Sequence, residues 1–433
     1  IDERVYPMNH VDYPKFIPEA VNLILIKDHS ASFHRNIQYN RDFACSEWQM
    51  INEVPGFHHL TYQNLASRTF QDLSEAFASQ KKPHCFKTEN AIPLTYDLNI
   101  QEECREFFEI FERERNQNPN EVKWVVKSLA VRKDPWSQDS RQNSLATVLN
   151  EENGKEIARR YDHGTECGNR KENQIAQQYI PHPFLINNRK FNFRVYLLIA
   201  SVDPLIAFYH EGVIRLSNTP YDEESELASG QLSTIKFGKA KTPSPSETTE
   251  STEGVEQPQS SESVDSENLA FEFNQFQEYL LDKGLTTDIR FVADKLVAEL
   301  KKNLISLLRS GKRFMQPGWG YFQIFTVDYM LDQDLNLWFI ENKANSDFSE
   351  IQTESEKTML EGLVDIIESR LKGKMTLSEM PHTSWEPLMD ENFPVEDRYF
   401  GVISEECAQS PFRDNTVGPD IEYGAQGTDI TRQ

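Results

Sequence analysis

The stretch that decides the fold runs from Ile324 to Lys343 and reads IFTVDYMLDQDLNLWFIENK. Two apolar segments flank the polar turn Asp332-Gln333-Asp334, and this pattern predicts two antiparallel strands joined in a hairpin. Asp328 lies in the first segment, and Glu341 follows thirteen residues later at the end of the second. Such a hairpin would bring the two carboxylates side by side, which is how proteins build a Mg²⁺ site.

Lys343 stands two residues after Glu341, where a further oxygen ligand would point into the same site. A lysine side chain has three donors and no acceptor, so it cannot bind Mg²⁺ unless it is deprotonated. Its ammonium group could instead pair with Asp328 and Glu341 and replace part of a missing cation. The hairpin is therefore either a working metal site or the remains of one.

The composition predicts a globular chain with two or three subdomains. Its 433 residues are 38% hydrophobic and 11% aromatic, which is enough to bury a large core. The formal charge of −24 makes nucleic acid and anionic membranes poor partners, because both are polyanions. No apolar run approaches the roughly 20 residues of a membrane span. The chain opens IDERVYP without a methionine, so we expect a fragment or a processed end there.

The cysteines are five in number and scattered, and they include no Cys-x-x-Cys pair. This pattern is typical of a reducing compartment and argues against both a disulfide framework and a zinc site. The five are Cys45, Cys85, Cys104, Cys167 and Cys407.

Strand and helix patterns alternate along the chain, and together they predict an α/β (α+β) architecture. Apolar runs predict buried strands, and the segment after them, Leu205 to Ser217, predicts a strand, a turn at Glu211-Gly212 and a second strand. Two segments with apolar residues three and four apart predict amphipathic helices. The strand runs are Val21–Ile26, Lys123–Leu129 and Phe191–Val202, and the helices are Cys104–Asn116 and Ala293–Ser310, the latter stopping at Gly311.

Two segments lack these patterns. From Lys241 to Glu267 the chain is rich in Ser, Glu and Pro, so we expect a disordered surface insertion, with a phosphorylated segment as the alternative. From Met375 to the end (375–433) the chain is acidic and has no clear periodicity. We expect this part to be an extended arm that either wraps the body or docks on a partner.

Basic side chains outside the hairpin predict a nucleotide site. Lys127 ends the strand WVVKS and could reach a phosphate, and the extended segment Ala176–Ile186 could pair its backbone with an adenine edge. The strand period of two places Lys190, Asn192 and Arg194 on one face, with Arg215 on the neighbouring strand. Together with Asp328 and Glu341, these residues indicate a nucleotide held between basic groups and carboxylate-bound Mg²⁺.

Six blocks of the chain are distinctive in their order: NEVPGFHHLTYQNL, IPLTYD, KWVVKS, QQYIPHPFLINNRKFNFRVYLLIASVDPL, FYHEGVIRLS and IFTVDYMLDQDLNLWFIENK. In this order they resemble the tubulin tyrosine ligase-like family, which are ATP-grasp ligases that join an amino acid to a carboxylate of a protein tail. The similarity runs from about Asn52 to Asp347, and the RKFNFRVY and VDYMLDQDL blocks are its most specific parts. It implies a three-lobed fold with an N-terminal lobe (1–92), a central lobe (93–178) and an ATP-grasp lobe (179–374).

The resemblance also implies an ATP-dependent reaction. A carboxylate attacks the γ-phosphate, an acylphosphate forms, and an amine then displaces the phosphate. By motif position, the implied roles are as follows: Lys127 and Lys190 contact phosphate; Gln177, Gln178, Tyr179 and Ile180 form the adenine hinge; Asn192 faces the ribose; Arg194 and Arg215 hold the reacting carboxylate; and Asp328 and Glu341 bind Mg²⁺.

Several positions depart from the family pattern. The glycine-rich loop expected after Lys127 is missing, because no glycine occurs between Ser128 and Ser144. Each of the other departures removes a charge or a ligand that the pattern contains. Lys343 replaces the asparagine of Glu-x-Asn, Asn192 replaces the aspartate of Lys-Phe-Asp-x-Arg, Gln63 and Gln178 replace lysines, and QLST at 231–234 replaces HLTN.

Two functions remain open from the sequence. One is a non-catalytic relative of the ligases that serves as a structural component of a microtubule-based assembly such as an axoneme. The other is an active ligase with a rewired site that uses ATP and Mg²⁺ on tubulin or another protein. The charge of −24 favours the first, since it would repel acidic tubulin tails. Either function predicts a cytoplasmic, cytoskeletal location, with the cilium as the specific expectation.

Overall fold

The computed structural model describes residues 23–24, 49–117, 124–129, 146–168, 174–217, 219–222, 270–344, 353–374 and 376–412. Three features predicted from the sequence lie outside these residues. They are the Ser/Glu-rich segment 241–267, most of the glycine-free stretch after Ser128, and the QLST segment at 231–234.

The strands of the described residues belong to three sheets. Their bounds are β1 Leu23–Ile24, β2 Met50–Ile51, β3 Thr95–Asp97, β4 Trp124–Ser128, β5 Ala146–Val148, β6 Gln174–Gln178, β7 Phe191–Val202, β8 Leu205–Leu216, β9 Ala270–Phe271, β10 Gln323–Leu331, β11 Leu337–Ala344 and β12 Glu386–Asp390. The largest sheet is antiparallel, with the order β11-β10-β7-β8-β12 and with β9 beside β8. An antiparallel sheet of order β3-β6-β4-β5 and the parallel pair β1-β2 complete the set.

Helices cover the faces of these sheets. They are α1 His58–Thr61, α2 Gln63–Ser79, α3 Gln101–Gln117, α4 Glu151–Arg160, α5 Phe273–Asp282, α6 Val297–Gly311, α7 Glu354–Leu371 and α8 Glu405–Ala408. One π-helical turn, Val292–Leu296, leads into α6. Within the described residues, no helix is both long enough and apolar enough to cross a membrane.

Strand β7 is the middle strand of the large sheet, and all twelve of its residues are buried. Phe191, Phe193 and Val195 point into the larger core, where α5 and α6 pack. Tyr196 and Leu198 point to the other face, where α7 packs. The predicted alternation of faces along this strand is therefore confirmed, and burying both faces fixes its register.

The predicted α+β fold is confirmed, and so is the decisive hairpin. Strands β10 and β11 pair as antiparallel neighbours. The Asp332 carboxylate organises their connection: Oδ1 accepts from the Asn336 backbone N–H at 2.8 Å, and Oδ2 accepts from Trp338 Nε1 at 2.9 Å. The predicted helices recur as α3 and α6, and α6 ends at Gly311 as expected. The division into three lobes stays a prediction.

The prediction of a turn at Glu211-Gly212 is wrong. Strand β8 is continuous, and it accommodates these residues as a bulge: Arg194 of β7 faces Val213, whereas Tyr196 faces His210. Gly212 has φ +66°, and a Cβ there would lie 2.1 Å from the Arg194 carbonyl oxygen. A bulge with glycine in the left-handed region imitates a turn in sequence while the pairing continues.

The described part of the C-terminal segment, residues 376–412, lies against the body. Strand β12 adds an edge to the large sheet beside β8. Further along, Arg309 of α6 donates to the Gln409 carbonyl at 2.6 Å, and Gln80 donates to the Pro411 carbonyl at 2.9 Å. We expected the C-terminal arm either to wrap the body or to dock on a partner, and these described residues pack against the body.

The prediction that the cysteines form no disulfide framework is wrong. Cys85 bonds to Cys407, and Cys104 bonds to Cys167. The partners are 322 and 63 residues apart in the sequence, so the fold, and not their spacing, brings them together. Cys45 lies outside the described residues.

The bulge holds a buried histidine that should make stability depend on pH. Burial lowers the pKa of His210 from 6.5 to about 4, although Glu386 and Glu356 act in the opposite direction. The folded chain then binds fewer protons than the unfolded chain between these pH values. Stability is intact above pH 6.5 and falls as the pH drops toward 4, by about 3 kcal/mol for a shift of this size. His59, whose pKa burial also lowers to about 4, should add a similar effect.

We expect His210→Asn to reduce this loss of stability by roughly half, since the asparagine oxygen can still accept from the Gly212 N–H, which now donates to His210 Nδ1. The measurement is urea unfolding at a series of pH values from 7 to 4. His382→Asn, at an exposed position, is the control and should leave the slope unchanged. An unchanged slope in His210→Asn would contradict the assignment.

Candidate functional site

The two carboxylates of the hairpin face each other, as predicted. Asp328 on β10 is the register partner of Glu341 on β11 and of Arg194 on β7. The next pair is Tyr329 with Phe339, so Ile340 is an extra, bulged residue. The Ile340 carbonyl accepts a hydrogen bond from Gln63 Nε2 at 3.1 Å, which ties helix α2 to the hairpin. The bulge sets the direction in which the Glu341 side chain points away from the strand.

Arg194 forms a bidentate ion pair with the Asp328 carboxylate. Its Nε lies 2.8 Å from Oδ1, and its terminal nitrogen lies 2.7 Å from Oδ2. Both residues are buried. Burial alone would raise the pKa of Asp328, but the charge and hydrogen bonds of Arg194 outweigh it and lower that pKa below its usual value. The carboxylate therefore stays ionised and is occupied on both oxygens.

Lys343 pairs with Glu341 alone. Its Nζ lies 2.5 Å from Glu341 Oε1, and its side chain is 54% exposed. The predicted position between both carboxylates is thus only half realised, because Arg194 already holds Asp328. The Lys343 charge still contributes to lowering the pKa of Asp328. Position 343 supplies a cation where the family pattern has an oxygen ligand.

The second arginine of the site also has a buried acidic partner. Arg215 donates to Glu356 at 3.1 Å, and the Tyr196 hydroxyl donates to the same oxygen at 2.8 Å. Glu356 also closes the capping box of helix α7 with Thr353. Burial and the adjacent Glu356 charge raise the pKa of Tyr196. Sequence reasoning missed Glu356, although the Thr-x-x-Glu pattern at 353–356 is a recognisable start of a helix.

Lys127 lies on strand β4 of the small sheet, where the charge of Glu341 acts on it. Its Nζ donates to Gln177 Oε1 on the neighbouring strand β6 at 2.7 Å, and Gln177 donates in turn to Thr95 Oγ1 at 2.9 Å. Burial lowers the pKa of Lys127 to about 8, and the charge of Glu341 acts against that decrease. This coupling links the small sheet to the hairpin.

Lys190 and Asn192 lie on the same face of the chain as Arg194. The Lys190 ammonium lies 4.3 Å from the centre of the Tyr221 ring and 5.9 Å from that of Tyr179. The two tyrosine hydroxyls are 3.2 Å apart. Asn192 is buried, and its Oδ1 has no hydrogen-bond partner within the described residues. An orphaned buried acceptor of this kind indicates room for a donor that the protein does not supply.

The predicted hinge runs along the end of β6 and beyond it. Gln177 is buried in the strand, and Gln178 is exposed at its end, where its backbone N–H donates to the Leu94 carbonyl at 2.7 Å. Tyr179 and Ile180 follow the strand, and the Tyr179 ring lies near the Lys190 ammonium. All the predicted site residues therefore lie within the described part of the chain, on β4, β6, β7, β8, β10 and β11 or next to them.

Mg²⁺ is the metal that the resemblance implies for Asp328 and Glu341. Mg²⁺ requires close to octahedral oxygen ligands at about 2.0–2.1 Å. Here Arg194 occupies both oxygens of Asp328, Lys343 occupies one oxygen of Glu341, and position 343 offers no acceptor. Arranged in this way, the residues do not fit the metal. The opposite side carries the cations Lys127 and Lys190 and, at Asn192, a buried acceptor without a partner among the described residues.

Comparison with known proteins identifies relatives of this chain. The model of the tubulin-tyrosine ligase family matches residues 42–372. Protein polyglycylase TTLL10 of Macaca fascicularis is 24% identical over 283 residues, which are 64% of this chain and 41% of that protein. Probable tubulin polyglutamylase TTLL9 of Rattus norvegicus is 23% identical over 353 residues, which are 75% of this chain and 69% of that protein. Inactive polyglycylase TTLL10 of Homo sapiens is 23% identical over 301 residues, which are 68% of this chain and 41% of that protein.

The Arg215–Glu356 pair should carry a large share of local stability. We expect Glu356→Ala to lower the free energy of unfolding by about 3–5 kcal/mol, because it leaves a buried guanidinium without its carboxylate. Glu356→Gln keeps an acceptor for Tyr196 and should lose less. The measurement is unfolding in urea at pH 7.

Glu354→Ala is the matched control, since Glu354 lies in the same turn of α7 and pairs with Lys357 at the exposed surface. The free energy of unfolding of Glu354→Ala should equal that of the wild type. Equal effects of Glu354→Ala and Glu356→Ala would show that the buried pair contributes nothing beyond a surface charge.

Proposed function

The chain belongs to the tubulin-tyrosine ligase family, and from this premise we propose that it is a divergent, non-catalytic member. Its centre keeps the strands and most of the charged groups of an ATP-dependent ligase, but its own side chains neutralise one another there. The observation that carries the proposal is the bidentate Arg194–Asp328 ion pair beside the Lys343–Glu341 pair. Both carboxylates that would bind Mg²⁺ are already paired with cations.

The arginines support the same conclusion. In the ligase reaction, Arg194 and Arg215 would hold the reacting carboxylate and the charge that develops on it. Here Arg194 is paired with Asp328 and Arg215 with Glu356, both in buried positions. A substrate carboxylate would have to displace an internal carboxylate in each case, which leaves a buried acid without its partner.

The partner that we propose is tubulin or a microtubule-associated assembly such as an axoneme. The support comes from the relatives, whose names include a probable tubulin polyglutamylase of Rattus norvegicus and a probable alpha-tubulin polyglutamylase of Tetrahymena thermophila. The chain would keep the surface through which the family approaches its substrate and would use it for binding alone. A cytoskeletal location, and the cilium in particular, follows from this partner.

An active ligase is the second candidate function, and two observations favour it. Asn192 keeps a buried acceptor without a partner among the described residues, and Lys127 is a half-buried lysine whose pKa is lowered to about 8. Both suit a bound nucleotide. Similarity does not decide between the candidates, because the relatives include polyglycylases and one described as inactive. In that case ATP would bind with Mg²⁺, and water or a backbone carbonyl would replace the ligand missing at Lys343.

The test is a thermal-shift titration with Mg²⁺ and ATP. A ligand at one hundred times its Kd stabilises the fold by about 2.7 kcal/mol, which raises Tm by several degrees. We expect no Mg²⁺-dependent increase for the wild type. Lys343→Asn should restore part of the increase, because it removes the ammonium from Glu341 and supplies an amide oxygen. We do not expect it to restore ligase activity, since Gln63 and Asn192 remain.

Lys357→Asn is the control for the loss of a lysine, because Lys357 pairs with Glu354 at the surface, away from the hairpin. Its Tm should respond to Mg²⁺ and ATP as that of the wild type does. A wild-type protein that Mg²⁺ and ATP stabilise with micromolar affinity would overturn the non-catalytic assignment. Incorporation of a labelled amino acid into tubulin would establish the second candidate in its place.

A further inference from the structure

A cluster of metal-ligating side chains lies outside the hairpin, where the C-terminal segment meets the residues that follow helix α2. His84 and Cys85 follow α2, and Cys407 lies in the short helix α8. One ligand atom from each of these three residues lies within 4.8 Å of the other two. Within the described residues, no other group of histidine, cysteine and acidic side chains gathers in this way.

A fourth ligand of suitable chemistry adjoins the cluster. Glu406 precedes Cys407, and its Oε1 lies 3.1 Å from His84 Nε2. The same His84 nitrogen lies 3.7 Å from Cys85 Sγ. Two sulfurs, one imidazole nitrogen and one carboxylate oxygen form a set that suits tetrahedral Zn²⁺. A glycine-rich or acidic surface that lacks cysteine and histidine would not provide this set of ligands.

We propose that the dithiol form of this cluster binds one Zn²⁺ ion through Cys85, Cys407, His84 and Glu406. In the disulfide form the two sulfurs are bonded to each other. Tetrahedral ligands with Zn–S bonds of about 2.3 Å require sulfurs roughly 3.8 Å apart. Rotation of the two side chains can supply most of this change, since the Cα atoms are already 5.3 Å apart.

The conversion between the two forms balances in electrons and protons. A dithiol reductant gives two electrons and two protons to the Cys85–Cys407 bond and becomes a disulfide itself. The two new thiols release their protons as Zn²⁺ binds, because the thiolate is the ligand. With the Glu406 carboxylate the site then carries one net negative charge, and the nearby Lys82 ammonium offsets it. Lys82 already lies here, because its Nζ donates to the Glu406 carbonyl at 2.7 Å.

The backbone around the cluster is held in place before any ion binds. The Cys85 N–H donates to the Lys82 carbonyl at 3.0 Å, and the Cys407 N–H donates to the Ser404 carbonyl at 2.9 Å. His84 is exposed, and Cys85 is half-buried, which leaves a path for the ion to enter. A bound Zn²⁺ would join two parts of the chain that lie 322 residues apart and would fasten the C-terminal segment to the body.

The other cysteine pair provides a matched control. Cys104 and Cys167 are buried, and in the part of the chain that the structure describes no histidine or acid completes a ligand group with them. A thiol pair without such partners is expected to bind Zn²⁺ weakly. The double variant Cys104→Ala/Cys167→Ala should therefore keep the proposed site while removing the other sulfurs.

The experiment uses the full chain, reduced with dithiothreitol and then freed of it by gel filtration without oxygen. Zn²⁺ is titrated against a chromogenic chelator, and Co²⁺ is added in parallel for its thiolate charge-transfer absorption. We expect one Zn²⁺ per chain in the wild type and in Cys104→Ala/Cys167→Ala. His84→Ala should weaken binding at least tenfold, and Glu406→Gln should weaken it less. Cys407→Ser should abolish both tight binding and the cobalt–thiolate band.

His84 is exposed, so His84→Ala should fold normally and keeps the test valid if Cys407→Ser does not fold. His382→Ala, at another exposed histidine, should bind Zn²⁺ as the wild type does. A reduced wild-type chain that takes up no stoichiometric Zn²⁺ would overturn the proposal and leave the pair as a disulfide only. Equal binding by wild type, His84→Ala and Cys407→Ser would also overturn it.

Discussion

Arg194 and Asp328 form a buried ion pair at the middle of the large sheet, on neighbouring strands and in register with each other. Each charge is costly to bury without the other, so the pair ties the pairing of β7 and β10 to the electrostatics of the site. Because Glu341 faces Asp328 from the other side, the position of β11 depends on the same register. The fold and the chemistry of the centre therefore rest on one interaction.

From this pair the charges of the site extend outward in matched couples. Lys343 neutralises Glu341 at the exposed end, and Arg215 neutralises Glu356 beneath helix α7. Tyr196 shares Glu356 with Arg215, so the helix cap, the sheet and the site are joined through one carboxylate. A ligase centre needs cations that remain available to its substrate and phosphates. Here both arginines are paired with buried carboxylates of the protein itself.

The sequence predicted the parts of this arrangement that depend on local pattern. The alternation along β7 placed Lys190, Asn192 and Arg194 on one face, and the polar turn placed Asp328 opposite Glu341. Contacts between distant segments were not predictable in this way. Glu356 reaches Arg215 from a helix 141 residues later in the chain, and Gly212 marked a bulge that sequence alone does not distinguish from a turn. The cysteine partners were missed for the same reason, since only the folded chain brings them together.

Charge balance explains why one residue, Lys343, has so much influence. Two carboxylates that face each other repel, and the family pattern relieves this with a divalent ion held partly by an asparagine. In this chain Arg194 supplies one positive charge to Asp328, and Lys343 supplies another to Glu341, so the same two negative charges are balanced by side chains. A divalent ion entering between them would meet two cations and would have to move at least one. Lys343 is the more easily moved, because it is more than half exposed, whereas Arg194 is buried and held by two hydrogen bonds. If a metal enters this site, as the second candidate function requires, we expect the identity of residue 343 to set how easily it does so and Arg194 to set how well the remaining carboxylate could hold it.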